Sequence, residues 1–218
     1  MKWKQQIHGM KAYQPGKPME EVKKMFGLDE VVKLASNENP FGSSPKVKAF
    51  LQQDETNHAI YPDGYAQNLR TAVANHLGVK ETELIFGNGS DDLIAIITRA
   101  LLYPGVNTVM ADPSFSQYWH NAEIEGAEVR KIPCVDGRHD LDAMLAAIDE
   151  NTSVVWVCSP NNPTGTIVTD VELQNFLKQV PSDVLVVLDE AYIEYVNDPA
   201  HESTLKYFRE YENVILLR

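Results

Sequence analysis

From residue 84 onward, short apolar runs alternate with longer amphipathic segments. The runs 154–157 and 184–188 are apolar at every position, which is typical of strands buried on both faces of a parallel sheet. We predict strands at 84–86, 108–111, 128–132, 153–158, 184–188 and 214–217, separated by helices at 90–102, 116–125, 141–148, 170–179 and 205–211. This alternation predicts an α/β fold: a mostly parallel sheet with helices on both faces.

The first 45 residues follow a different pattern. They contain Pro15, Pro18, Pro40 and Pro45, which favour an irregular arm, and we predict only one short helix in them, at 20–26. A further helix is predicted at 68–77, because Gly78 stands in the usual position of a helix C-terminal stop. The chain therefore divides into an arm at 1–45 and a domain at 46–218.

The composition and charge of the chain argue against some classes of binding partner. The net charge of -12 and the pI near 4.9 argue against binding to nucleic acid or to an anionic membrane surface. The N-terminus lacks the apolar core of a signal peptide, and no apolar run reaches the ~20 residues that span a bilayer. Cys134 and Cys158 are far apart and are predicted to be reduced thiols. We expect a cytoplasmic protein.

Polar residues follow four of the predicted strands. Ligands of open α/β sheets bind beyond the carboxyl ends of the strands, so a ligand site is expected where these segments converge. The segments read G-N-G-S at 87–90, D-P-S-F at 112–115, S-P-N-N-P-T-G at 159–165 and D-E-A-Y at 189–192.

The first of these segments, G-N-G-S at 87–90, has features of a phosphate-binding site. Gly87 and Gly89 directly precede a helix, and the free N–H groups at a helix N-terminus attract anions. A tight turn with Ser90 as N-cap explains the same residues. The segment lacks the third glycine of G-x-G-x-x-G, and no G-K-[ST] occurs, so neither a dinucleotide fold nor a P-loop is predicted. The six histidines show no metal-binding spacing, and no G-x-S-x-G serine elbow occurs.

Asp189 follows five apolar strand residues, so its carboxylate is expected at the rim of a low-dielectric core. A buried carboxylate needs a cation or a strong donor, and a protonated pyridine nitrogen would serve. Tyr192 could direct its phenol at the same ligand. Alternatively, Asp189 caps the next segment and Tyr192 packs on the surface.

Taken together, N-P-T-G at 162–165 and D-E-A-Y starting 24 residues after Gly165 resemble the paired signature of fold-type I aminotransferases. The segments K-L-A-S-N-E-N-P at 33–40 and Y-P-D-G at 61–64 are similar to those of the histidinol-phosphate aminotransferase family. The resemblance runs across essentially the whole chain. It implies that 46–218 is an incomplete large domain binding pyridoxal 5'-phosphate, and that 1–45 includes part of a small domain whose remainder lies C-terminal to the chain.

The resemblance also implies a role for individual residues. It assigns the cofactor phosphate to backbone amides, the ring face to an aromatic side chain, and the 3' oxygen and ring nitrogen to polar groups. It further implies a homodimer in which one tyrosine reaches the phosphate of the neighbouring subunit, and two positions at the substrate entrance. By this resemblance, Gly89, Ser90 and Asp91 hold the phosphate and Phe115 packs on the ring face. Asn162 and Tyr192 bond to the 3' oxygen, and Asp189 pairs with the ring nitrogen. Tyr61 is the tyrosine that reaches the neighbouring subunit, and Tyr13 and Asn37 are the two positions at the substrate entrance.

Transamination needs a lysine that forms a Schiff base with the cofactor. The family has this lysine in an S-K-x-x-G loop after the strand that follows D-E-A-Y, which places it beyond Arg218. The activity implied is amino transfer between glutamate and imidazole-acetol phosphate in histidine biosynthesis. Aromatic amino-acid transamination, phosphothreonine decarboxylation on the same fold, and a fragment that only binds or dimerises are the alternatives.

Overall fold

The computed structural model describes residues 2–11, 16–53, 58–198 and 204–218. Contacts divide the chain into two compact units. The larger consists of Met1–Met10 and Ile85–Arg218, and the smaller of Lys11–Leu84.

The larger unit is built on a five-stranded parallel sheet of order β2-β1-β3-β4-β5. The strands are β1 Asn107–Asp112, β2 Glu128–Pro133, β3 Thr152–Cys158, β4 Leu185–Asp189 and β5 Val214–Leu217. The α/β class and parallel sheet expected from the apolar runs are confirmed.

Five helices of this unit connect or precede the strands: α4 Ser90–Leu101, α5 Gln117–Glu125, α6 Leu141–Ala146, α7 Asp170–Leu177 and α8 Leu205–Glu210. They lie on both faces of the sheet. Successive side chains of a strand point to opposite faces, so one strand packs against helices on both sides. From β3, Val155 and Val157 pack with α6, α7 and α8 in one buried cluster. Trp156 and Cys158 pack with α4 and α5 in the other.

Helix α7 shows how the sequence fixes its own boundaries. The hydroxyl of Thr169 accepts the N–H of Glu172, and the Glu172 carboxylate accepts the N–H of Thr169, which completes a capping box. The capping box thus gives partners to the N–H groups of Thr169 and Glu172 at the start of α7.

The smaller unit contains α1 Met19–Phe26, α2 Pro45–Gln52 and α3 Gln67–Leu77. Arg70 on α3 donates to the carbonyls of Glu81 at 2.8 Å and Leu84 at 2.5 Å, which ties the helix to the segment that follows it. No helix among the described residues of either unit is long and apolar enough to cross a membrane.

Two local predictions need correction. Residues 84–86 are not a strand of the sheet; Leu84 is extended, but Ile85 is 64% exposed. An apolar run becomes a strand only where a neighbouring strand completes its ladder, and the five-stranded sheet does not reach this segment. The sequence pattern also predicts no helix at α2, since Pro45 is one of the prolines that favour an irregular arm. Pro45 is instead the first helical residue, with Ser44 as its N-cap.

Candidate cofactor-binding site

The candidate site lies at the carboxyl ends of the central strands, in the larger unit. Asp189 is the last residue of β4 and is only 2% exposed. Cys158 ends the neighbouring strand β3, opposite Asp189 in the register, and is 3% exposed. The sheet therefore delivers a carboxylate and a thiol to the same buried position.

Two donors hold the Asp189 carboxylate. The hydroxyl of Tyr118 donates to its Oδ2 at 2.5 Å, and the backbone N–H of Ala191 donates to its Oδ1 at 3.1 Å. Each carboxylate oxygen therefore has one partner among the described residues, and the two bonds orient the group.

Burial dominates the acidity of Asp189 and raises the pKa of its carboxyl above the ordinary value. The hydrogen bonds from Tyr118 and Ala191 act in the opposite direction, and the nearby charge of Asp91 raises this pKa further. Since the charged form is disfavoured, a cationic ligand that approached Asp189 would relieve a cost already present in the fold.

Tyr118 on α5 was not among the predicted site residues. It is completely buried, and its ring stacks on Trp156 at 4.7 Å between centroids. Phe115 meets the same ring edge-on, at 5.7 Å and 84°. Phe115 lies three residues before Tyr118, but the partner Asp189 is 71 residues away in sequence. No local pattern signals that contact.

The Cys158 thiol is an inert neighbour of this carboxylate. Burial raises its pKa to about 11, and the charge of Asp189 acts in the same direction. A thiol with so high a pKa is almost wholly protonated at neutral pH and is a poor nucleophile.

Asn161 joins two of the loops that follow the strands. Its Oδ1 accepts from the Ser114 hydroxyl at 2.8 Å, and its Nδ2 donates to the Pro113 carbonyl at 3.0 Å and to the Thr164 hydroxyl at 2.9 Å. Asn161 is 3% exposed, whereas the predicted ligand residue Asn162 is only half-buried. The buried asparagine thus braces the loops, and its neighbour remains partly accessible.

The N-terminus of α4 carries the predicted phosphate cradle. Gly89 has φ 79° and ψ 179°, a conformation essentially restricted to glycine, and no side chain caps the helix at this residue. A Cβ added at Gly89 would meet no atom within 4 Å, so the space beside this backbone is open. Ser90 and Asp91 begin the helix, and the N–H groups of such a first turn have no partner within the helix.

These groups fit the chemistry of pyridoxal phosphate. The buried Asp189 carboxylate suits a protonated ring nitrogen, and the uncapped first turn of α4 suits a phosphate. Phe115 is half-buried next to Tyr118, so part of its ring remains accessible. The electrostatic effect of Asp91 on Asp189 shows that the start of α4 lies near the end of β4.

The remaining predicted residues are placed as follows. Tyr192 is half-buried just after β4. Tyr61 is 97% exposed and Asn37 is also exposed, and both belong to the smaller unit. Tyr13 lies outside the described residues.

The part of the chain that the structure describes has no metal site, and a cavity in it lies away from the predicted site residues. Among residues 2–11, 16–53, 58–198 and 204–218, no group of three or more His, Cys, Asp or Glu side chains could hold a metal ion. A cavity of about 500 Å³ between α6 and α7 is lined by Arg138, His139 and Phe176, among others, but by none of the predicted site residues. Arg138 in this lining is paired with Glu172 at 3.0 Å.

The sequence of the chain is similar to those of known aminotransferases. The profile of the family "Aminotransferase class I and II" matches residues 29–218. The chain is 74% identical, over its whole length, to a histidinol-phosphate aminotransferase of Lysinibacillus sphaericus, and 61% identical to that of Geobacillus thermodenitrificans. It spans 60% of the length of each of these relatives.

Solved structures show the same fold. The histidinol-phosphate aminotransferase of Sinorhizobium meliloti, determined in complex with pyridoxal-5'-phosphate, superposes with a TM-score of 0.87 at 26% identity. The superposition covers 98% of this chain and 57% of that one. An L-threonine-O-3-phosphate decarboxylase from Porphyromonas gingivalis superposes with a TM-score of 0.67 at 22% identity, covering 79% of this chain and 52% of that one. At that identity, the likeness shows a shared fold alone.

Proposed function

Since the chain belongs to the family of class I and II aminotransferases, we propose that its protein is a transaminase that uses pyridoxal phosphate. The observation that carries the proposal is the buried Asp189 carboxylate, held by two donors at the carboxyl end of β4. A group of this kind stabilises a protonated pyridine nitrogen. When bound, pyridoxal phosphate supplies an electron sink for the charge left on the substrate's α-carbon.

The chain's own residues bind and orient the cofactor in this proposal. Asp189 pairs with the ring nitrogen, and Phe115 packs on the ring face. Asn162 and Tyr192 donate to the 3' oxygen. The N–H groups at the start of α4, at Gly89, Ser90 and Asp91, hold the phosphate, as the open space beside Gly89 permits.

Other proposed roles fall outside the larger unit or outside the chain. Tyr61 contacts the cofactor phosphate of the neighbouring subunit in a homodimer, and Tyr13 and Asn37 lie at the substrate entrance. We place the Schiff-base lysine and the rest of the small domain, to which 1–45 also contributes, on the C-terminal side of Arg218. The protein acts in the cytoplasm.

The substrates we propose are L-histidinol phosphate with its keto form, imidazole-acetol phosphate, and the glutamate/2-oxoglutarate pair. Support comes from the names of the relatives at 74% and 61% identity. The threonine-phosphate decarboxylase similarity supports the fold only, so decarboxylation is not proposed.

The decisive experiment compares the wild type with Asp189→Asn, each produced at full natural length. The amide cannot neutralise the ring nitrogen, so we expect the Kd for pyridoxal phosphate to rise about a hundredfold, the range for losing one partner of a buried charge pair. Absorbance and fluorescence titration measure it, and Asp149→Asn, an aspartate on another part of the unit, is the matched control.

Activity assays then separate the substrate classes. The wild type should transfer the amino group of L-histidinol phosphate to 2-oxoglutarate with a kcat/KM well above that for phenylalanine or tyrosine. A preference for the aromatic amino acids would replace the proposed substrate with the aromatic alternative. Tight cofactor binding by Asp189→Asn would contradict the proposed role of the carboxylate.

A further inference from the structure

We propose that Tyr118 is a positioning residue that sets two cofactor contacts at once. Its hydroxyl orients the Asp189 carboxylate, and its ring holds the ring of Phe115. The inference rests on the proposed function, since it takes Asp189 as partner of the ring nitrogen and Phe115 as the surface on which the ring packs.

The geometry connects both contacts to one side chain. The Tyr118 hydroxyl lies 2.5 Å from Asp189 Oδ2, and the Phe115 ring meets the Tyr118 ring edge-on with centroids 5.7 Å apart. A shift of the Tyr118 ring would therefore move the carboxylate and the aromatic surface together.

The Tyr118 ring is itself immobilised by the sheet. It lies nearly parallel to Trp156, at an interplanar angle of 15°. Trp156 Nε1 donates to the Thr108 hydroxyl at 2.9 Å, and that hydroxyl donates to the Val154 carbonyl at 2.8 Å. This chain of contacts runs between β1 and β3 and is entirely buried, so movement of Tyr118 would break buried hydrogen bonds or open a void.

The hydroxyl orients the carboxylate without saturating it. An ionised carboxylate offers about four lone-pair positions, and Tyr118 and Ala191 each occupy one, on different oxygens. Acceptor capacity is left for a cation. Burial and the nearby acidic groups raise the pKa of the Tyr118 phenol well above its ordinary value, so this residue stays a donor at neutral pH.

The same bond favours the charged form of Asp189. Burial raises the pKa of this carboxyl, and the Tyr118 hydroxyl is the first of the groups that lower it. Without the hydroxyl, the burial effect is opposed chiefly by the Ala191 N–H, and a smaller share of the molecules carries the charge that a pyridine cation needs.

The test is Tyr118→Phe in the protein at full natural length, because this change deletes the hydroxyl and keeps the ring against Trp156 and Phe115. Tyr207→Phe is the matched control: Tyr207 is equally buried and donates to Asp170 Oδ1 at 2.6 Å, on α7. We expect the Kd for pyridoxal phosphate to rise about tenfold in Tyr118→Phe at pH 7, as for loss of a hydrogen bond to an ionised group. The deficit should grow as the pH falls, and Tyr207→Phe should match the wild type throughout.

A second readout needs no cofactor. In protein labelled with ¹³C at the aspartate carboxyls, the Asp189 signal is assigned by its disappearance in Asp189→Asn. It should titrate at higher pH in Tyr118→Phe than in the wild type or in Tyr207→Phe. This shift would appear even if the wild type did not bind pyridoxal phosphate, which separates failure of the proposed function from failure of this inference.

Two results would overturn the proposal. One is an Asp189 titration that is the same with and without the hydroxyl. The other is a loss of cofactor affinity in Tyr207→Phe equal to that in Tyr118→Phe, since the effect would then follow general destabilisation.

Discussion

Asp189 is an ionisable group in a place where burial disfavours its charged form. Its carboxyl is 2% exposed, and burial raises its pKa above the ordinary value. Such a group stabilises the fold while it is protonated, and the contribution is lost as the pH rises through the folded-state pKa. Ionisation of this carboxyl in the cofactor-free protein therefore has a cost that a cationic partner relieves.

The first prediction follows from this cost. Asp189→Asn should raise the melting temperature of the cofactor-free protein at pH 7, and the gain should shrink as the pH falls and the wild-type carboxyl takes up its proton. Differential scanning calorimetry between pH 4 and 8, without pyridoxal phosphate, measures it. A lower melting temperature for Asp189→Asn at pH 7 would contradict this account.

Asp149→Asn should change the melting temperature in the opposite direction. Hydrogen bonds from Asn107 and Arg130 lower the pKa of Asp149 to about 2. A lowered pKa adds stability above the ordinary value, near pH 4, that is lost as the pH falls toward 2. Asp149→Asn should therefore lower the melting temperature at pH 7, and by less in acid.

At the residue scale, sequence patterns predict those site residues that are marked by their immediate neighbours in the chain. Asp189 is recognisable because five apolar residues precede it, and Gly89 because a helix follows it. Tyr118 and Asn161 gain their importance from contacts 71 and 47 residues away, which no local pattern encodes. Their hydrogen bonds are known only once the strands are placed side by side.

At the scale of the elements, helix α7 has a start that is specified by local chemistry. Thr169 and Glu172 exchange side-chain-to-backbone hydrogen bonds, and Leu173, Phe176 and Leu177 are buried against the sheet. The cap therefore stabilises a helix that supplies part of the core.

Thr169→Ala should reduce the free energy of unfolding by about 1 kcal/mol, the usual effect of losing an N-cap hydroxyl. Urea unfolding followed by circular dichroism measures the change. Val171→Ala, at a 67% exposed position of the same helix, should change stability by less than about 0.5 kcal/mol. Equal effects of the two changes would mean that the cap contributes nothing.

The elements also show where sequence patterns mislead. The apolar run 84–86 has the composition of a strand, yet the sheet offers it no ladder. Pro45 looks like a helix breaker but occupies the first turn of α2, where a missing N–H costs nothing. Strand formation depends on a partner elsewhere in the chain, whereas a helix start depends on the few residues around it.

On the scale of the whole molecule, the proposed homodimer makes a sharp prediction about Tyr61. If Tyr61 serves the neighbouring subunit, an Asp189→Asn subunit paired with a Tyr61→Ala subunit has one site with both changes and one with neither. Randomly mixed subunits should then recover about a quarter of the wild-type activity, since half of the dimers are hybrids with one intact site in two.

The hybrid experiment is read against each variant alone, after the subunits have been dissociated and reassociated. If Tyr61 served its own subunit, both sites of every hybrid would be defective, and mixing would restore nothing. A protein that remained monomeric at assay concentration would contradict the proposed assembly itself.

The strand order β2-β1-β3-β4-β5 also bears on how the chain folds during synthesis. After β1 emerges from the ribosome, β2 can add to one of its edges and β3 to the other, and then β4 joins beside β3 and β5 beside β4. No ladder has to open to admit a later strand. From β3 onward the growing edge is the newest strand: β4 covers the wholly apolar 154–157 of β3, and β5 then covers β4. The strands can thus join the sheet in the order in which they are synthesised, which shortens the time for which the apolar edges of β3 and β4 are exposed to other nascent chains.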